Sequence, residues 1–135
     1  MIQSLISKGD WQSAYDRLKA ANLVLRDDTY VANMLAISAM KVEGVKSASA
    51  IGYFEKLRKL EKDHGGRGIW SLGNLVNAAL GLADTEEARE LLKQLNEMPD
   101  AHRNKKSIAR YFDEIITAQK TAQKDFEFDW LHYWP

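Results

Sequence analysis

Gly68-Ile69-Trp70-Ser71-Leu72-Gly73-Asn74-Leu75-Val76-Asn77-Ala78-Ala79-Leu80-Gly81-Leu82 runs through Ala83-Asp84-Thr85-Glu86-Glu87 into Ala88-Arg89-Glu90-Leu91-Leu92-Lys93-Gln94-Leu95-Asn96-Glu97-Met98-Pro99. Leu72, Leu75, Val76 and Ala79 recur at steps of three and four, as do Ala88, Leu91, Leu92 and Leu95. Each set makes one apolar stripe of a helix. Asp84 or Thr85 caps the second helix, Glu86 and Glu87 favour its positive N-terminal end, and Pro99 stops it. The stretch is therefore a helical hairpin. A hairpin with one apolar face needs neighbours to cover it.

The remaining sequence supplies them. Residues 1–8 predict a short helix with Ile2, Leu5 and Ile6 on one side, broken at Gly9-Asp10. A second helix runs from Trp11 to about Leu25 and buries Trp11, Ala14, Tyr15, Leu18 and Ala21. A third, from Tyr30 to about Val42 and capped by Asp28 or Thr29, buries Val31, Leu35, Ala36 and Ala39. A fourth, from about Ala48 to Lys62, buries Ala50, Phe54, Leu57 and Leu60. After the hairpin and a polar loop, a last long helix from about Ser107 to Lys124 carries Ile108, Tyr111, Phe112, Ile115, Ile116 and Gln119 on one face. Residues 125–135 form a separate aromatic and acidic tail.

Composition narrows the function. Nineteen basic and nineteen acidic residues give zero net charge, which argues against nucleic-acid binding by bulk charge. With no cysteine, disulfides, thiolate metal sites and cysteine nucleophiles are excluded, and a reducing cytoplasm is the expected location. The N-terminus lacks the basic start and apolar run of a signal peptide, and no stretch is as long as a membrane span.

The hairpin has internal echoes. Gly9-Asp10-Trp11-x-x-Ala14-x-x-x-Leu18-x-x-Ala21 aligns with Ala83-Asp84-Thr85-x-x-Ala88-x-x-x-Leu92-x-x-Leu95, and Val45-x-x-x-x-Ala50-x-x-x-Phe54-x-x-Leu57 follows more loosely. The alanines at 14, 50 and 88 lie 36 and 38 residues apart. Small residues belong where paired helices approach closely. These residues resemble the tetratricopeptide repeat (TPR) family. Gly9, Asp10, Trp11, Ala14, Leu18 and Ala21 match its turn and second helix throughout, and Asp84, Ala88, Leu92 and Pro99 match in the last repeat. The period exceeds the family's length of about 34 residues, so the loops near 43–47 and 63–68 carry insertions. The middle repeat is degenerate. The first repeat is abbreviated, and residues 1–8 are either a trimmed terminal helix or the edge of a longer protein.

The resemblance implies an all-α, TPR-like α-α superhelix over residues 1–124, with about three hairpins and a C-terminal capping helix. It also implies a protein or peptide partner held in a concave groove. An enzyme would need a cleft with convergent polar groups, which these residues do not assemble, so neither enzymatic activity nor a cofactor is expected. The first helices of each pair would line that groove with Tyr30, Asn33, Ile37 and Met40, and with Trp70, Asn74, Asn77 and Leu80. Aromatic and methionine side chains supply apolar contact, and asparagine amides both donate to and accept from a backbone. The family's carboxylate clamp is not expected, because only Lys41 lies close. The alternatives are a non-catalytic regulatory domain of a larger signalling or enzyme protein, and a self-associating structural module.

Other candidates are weaker. His64, His102 and His132 lie in separate segments, without a second ligand at helical spacing. No nucleophile elbow surrounds any serine. Gly65-Gly66-Arg67-Gly68 before a helix fits either a flexible connection or an anion site, and no strand precedes it to make a dinucleotide fingerprint. Arg103, Lys105 and Lys106 oppose the dipole of the helix that follows, so helix stability does not explain them. The tail holds five of the thirteen Phe, Trp and Tyr residues in its last ten positions, too much aromatic surface to leave in water. It either folds onto this chain's own core, or reaches a second copy or another protein through Trp130 and Trp134. Asp125, Glu127 and Asp129 are expected to pair with the basic loop and fix where the tail lies.

Overall fold

Four short polar side chains start helices in the computed structural model, which describes residues 2–135. Asp10, Asp28, Ser47 and Asp84 accept hydrogen bonds from the backbone N–H of Ser13, Val31, Ala50 and Glu87. Each satisfies a donor that the first helical turn leaves free. The helices are α1 (Ile2–Ser7), α2 (Trp11–Val24), α3 (Thr29–Glu43), α4 (Ala48–Asp63), α5 (Ile69–Gly81), α6 (Thr85–Glu97), α7 (Lys105–Ile108) and α8 (Phe112–Ala122). A 3-10 turn, Trp130–His132, lies in the tail, and no strand occurs among the described residues. Met1, assigned to the first helix by its sequence, lies outside the described residues. The chain is all-α, as its periodicity predicts. None of these helices is long and apolar enough to cross a membrane.

The repeated turn is visible atom by atom. Gly9 and Ala83 both take positive φ, 77° and 59°. The N–H of Asp10 donates to Leu5 O, and that of Asp84 donates to Ala79 O, five residues back in each case. Gly9 N–H bonds Ile6 O and Ala83 N–H bonds Leu80 O, the second bond of the same helix-ending motif. The aligned alanines Ala14, Ala50 and Ala88 are all completely buried. At the other end of α6, Met98 is extended, as a residue before proline must be.

Successive helices from α1 to α6 pack on their chain neighbours, and α3 also meets α5 and α8. Ten consecutive α3 residues, Val31 to Met40, are buried. Gly81 lets α5 close on α4, since a Cβ there would stand 2.5 Å from the Phe54 ring.

Two expectations are corrected at the C-terminal end. The single helix predicted over 107–124 is broken at residues 109–111 into α7 and α8. The break follows from packing. Ile108 seats on α5 at Gly73, where a Cβ would fall 2.8 Å from Ile108 Cγ2, while Phe112 turns to meet the tail. The tail makes no ion pair with the basic loop among the described residues. Arg103 pairs with Asp100 at 2.6 Å instead. Lys105 Nζ lies 5.5 Å from the Trp130 ring and 5.9 Å from the Trp134 ring, so an aromatic quadrupole takes the place of a carboxylate. Trp130 Nε1–H donates to Asp113 at 2.8 Å, and Phe112 packs edge-on against Trp130 at 5.4 Å. Phe126, Trp130 and Trp134 join the main core, with Trp134 fully buried. Trp130 and Trp134 are therefore spent on their own fold and offer no anchor surface to a second molecule here.

Candidate functional site

The face shared by α3 and α5 is closed at one end and open at the other. At the closed end Ile37, Met40 and Leu80 are buried, which corrects their assignment to an exposed groove. The cause is α8, which packs on both helices. Buried Gln119 donates its amide N–H2 to Leu80 O at 2.9 Å and Gly81 O at 3.0 Å. Lys41 pairs with Glu114 at 3.1 Å along the same seam. The apolar positions that the family pattern offers to a partner are covered by this chain's own helix.

The open end is a cavity of about 190 Å³. Five of the predicted groove residues, Tyr30, Asn33, Trp70, Asn74 and Asn77, line it together. Tyr30 and Trp70 stand exposed at 49% and 55%, whereas Asn33 and Asn77 are buried rather than accessible. The asparagines are tied into the frame. Asn77 Nδ2 donates to Asn33 Oδ1 at 3.0 Å, linking α5 to α3. Asn74 Nδ2 donates to Glu61 Oε2 at 2.6 Å, and Ser71 Oγ donates to Glu61 Oε1 at 2.6 Å. Glu61, on the buried side of α4, thus accepts from Ser71 and Asn74, and the second bond orients the Asn74 amide.

The far wall comes from parts of the chain that the helical pattern does not connect to this face. Gln3, Ser107, Ile108, Arg110 and Tyr111 complete it. Gln3 Nε2–H donates to the Tyr30 hydroxyl at 2.9 Å, and Arg110 Nη1–H donates to Gln3 Oε1 at 2.7 Å. The Arg110 guanidinium lies 5.2 Å from the Tyr111 ring centre. Burial pushes the Tyr111 hydroxyl above its ordinary pKa, and the Arg110 charge opposes that rise. Tyr111 carries a sequence signal, since it falls on the apolar stripe of the last helix. Gln3 and Arg110 carry none, because they meet across 107 positions.

The remaining candidates fall elsewhere. His102 bonds Asn96 at 2.9 Å, and His132 packs edge-on against Tyr133. No group of three or more His, Cys, Asp or Glu residues is placed to hold a metal ion among the described residues. Gly65 and Gly66 take positive φ in a surface turn before α5. Glu127 and Asp129 line a polar recess together with Arg89 and Lys120. No family model, curated protein or solved structure matches the chain.

Proposed function

We propose that this chain is a TPR-like interaction module, a superhelix of three hairpins closed by α8, which binds a segment of a partner protein in the cytoplasm. The observation that supports this reading is the convergence of Tyr30, Asn33, Trp70, Asn74 and Asn77 on one cavity. Those residues come from two hairpins and were expected to meet only if the hairpins stack in the manner of the family. Exposed aromatic rings beside fixed amides suit recognition of a polypeptide. The rings offer large apolar contact at little entropic cost, and Asn74, the one asparagine of the three that is not buried, can answer a backbone or a polar side chain. The binding surface under this reading is shorter than the family's full groove, because α8 occupies the other end.

Selection of displayed random peptides on the full chain tests the reading. Recovered peptides should compete with one another, and Trp70→Ala should weaken them at least tenfold, as truncation of an aromatic anchor does. Peptides that bind the Trp70→Ala variant undiminished, with the helical fold intact by circular dichroism, would place the binding surface elsewhere.

A further inference from the structure

Among the residues that line the open cavity, Arg110 alone carries a charge. It is exposed, and no carboxylate lies within ion-pair distance of it among the described residues. Glu114 stands four residues on, the spacing at which a helix joins opposite charges. Arg110 lies in the break before α8, however, off the helix that carries Glu114, and Glu114 pairs with Lys41 at 3.1 Å. Neutral groups hold Arg110 instead. Its Nη1–H donates to Gln3 Oε1 at 2.7 Å, and its guanidinium lies 5.2 Å from the Tyr111 ring centre. Gln3 Nε2–H in turn donates to the Tyr30 hydroxyl at 2.9 Å. An exposed arginine loses rotamer freedom when it binds a ligand, and here the fold has already taken part of that loss. A guanidinium carries five N–H donors in a rigid fork, and Gln3 takes one of them.

A cavity whose sole charge is a held, unpaired guanidinium complements an anion, and the fork matches the two oxygens of a carboxylate. One amide, that of Gln3, joins Arg110 to Tyr30, so the charge and an exposed ring stand side by side. The exposed Trp70 ring lines the same cavity. Charge beside rings fits an acidic residue next to an apolar one. At about 190 Å³ the space admits side chains of one segment and not a folded surface. We propose that the cavity mouth takes the side-chain carboxylate of an aspartate or glutamate in a partner segment, with an apolar neighbour seated on Tyr30 and Trp70, which rests on the interaction-module reading above. The carboxylate accepts from the Arg110 N–H groups that Gln3 leaves over. A cationic segment meets like charge at the mouth. A nucleic-acid backbone needs a surplus of cations, and a single arginine on a chain of zero net charge does not provide it.

The test uses the full chain, labelled with nitrogen-15, and the blocked peptide acetyl-Leu-Glu-Leu-amide as the probe. The Trp70 indole signal should shift saturably, with a Kd on the order of 1 mM for so small a ligand. The counterparts with glutamine or lysine at the centre should bind several-fold more weakly. Raising the salt from about 0.01 M to about 0.1 M should weaken the glutamate probe and leave the glutamine probe unchanged, because screening acts on the charge alone. Arg110→Gln should erase the preference for glutamate over glutamine, with the helical fold and melting temperature kept, since the side chain is exposed. Absence of saturable shifts, equal binding of the glutamate and glutamine probes, or a preference that survives in Arg110→Gln overturns the proposal. So does tighter binding of inorganic phosphate, or of acetyl-Leu-Gln-Leu with a free C-terminal carboxylate. Displayed peptides that bind through Trp70 without enrichment in Asp or Glu overturn it while leaving the module reading intact. Selective binding of the glutamate probe with no recovered peptide supports the carboxylate site and counts against the module.

Discussion

The two ends of the α3–α5 face are built from the same pair of helices and differ in what covers them: Ile37, Met40 and Leu80 are buried at one end, while Tyr30 and Trp70 stand exposed at the other. At one end Gln119 from α8 donates to two carbonyls, its own Oε1 has no partner among the described residues, and Leu80 and Ile37 have no exposed surface. At the other the polar seam between the helices is only half satisfied, with Asn33 and Asn77 bonded to each other and Asn77 Oδ1 left over. The difference teaches where a partner could act. Under the interaction-module proposal, a chain that covers its apolar end with its own helix and leaves Tyr30 and Trp70 exposed at the other keeps stability and recognition on separate residues.

The sharpest way to break that separation is Leu80→Ala at the closed end. It should cost about 2–5 kcal/mol in a denaturant melt, the cost of emptying a fully buried site. A loss below about 1 kcal/mol would mean that α8 does not seal this end. Gln119→Met keeps the length and removes the donor shared by Leu80 and Gly81. About 1–3 kcal/mol should be lost, read by the same melt, and an unchanged melt would show that these carbonyls do not need the bridge.

The buried tyrosines on the two sides give a test by pH. Tyr15 donates to Glu43 at the α3 terminus beside the closed end, and burial followed by that bond raises its pKa to about 12. Unfolded tyrosine ionises near pH 10, so between those values the unfolded chain has released a proton that the native Tyr15 keeps. The tyrosine's contribution to stability is therefore whole below about pH 10 and lost as pH climbs through about 12. Tyr15→Phe should flatten that alkaline fall in thermal melts, and a fall of equal size in the variant would assign it to other groups. The smallest effect is expected at the open end. Trp70→Ala should change stability by no more than about 0.5 kcal/mol, because more than half of its surface is exposed. A larger loss would make Trp70 part of the core and remove the contrast.

What the sequence shows and what it hides divides along the range of the interactions. The caps at Asp10, Asp28, Ser47 and Asp84 depend on residues three positions apart, and the aligned alanines at 14, 50 and 88 depend on one helix face. Both kinds of signal are local and legible. The grouping of Tyr30, Trp70 and the three asparagines was reachable through the repeat alone. The path of α8 was not, since periodicity shows that Gln119 faces inward without saying against which carbonyls. Nor was the meeting of Gln3 with Arg110, which depends on the break between α7 and α8. The stretch from Val31 to Met40 contains no charged residue, and a helix that lacks a polar face is buried all round. That pattern places Ile37 and Met40 in the core and not in a groove.

That enclosed stretch of α3 also sets how the chain can vary. On a helix with one wet side, tolerance to substitution should rise and fall every three or four positions. From Val31 to Met40 each side chain has neighbours on every side, so a scan of all single replacements should find one unbroken block of ten intolerant positions. α6 buries only Ala88, Leu91, Leu92 and Leu95, and there the same scan should show the helical rhythm. Sequence drift should therefore be channelled to the outer helices, while α3 and the enclosed run from Leu75 to Gly81 of α5 stay fixed as the axis around which they diverge.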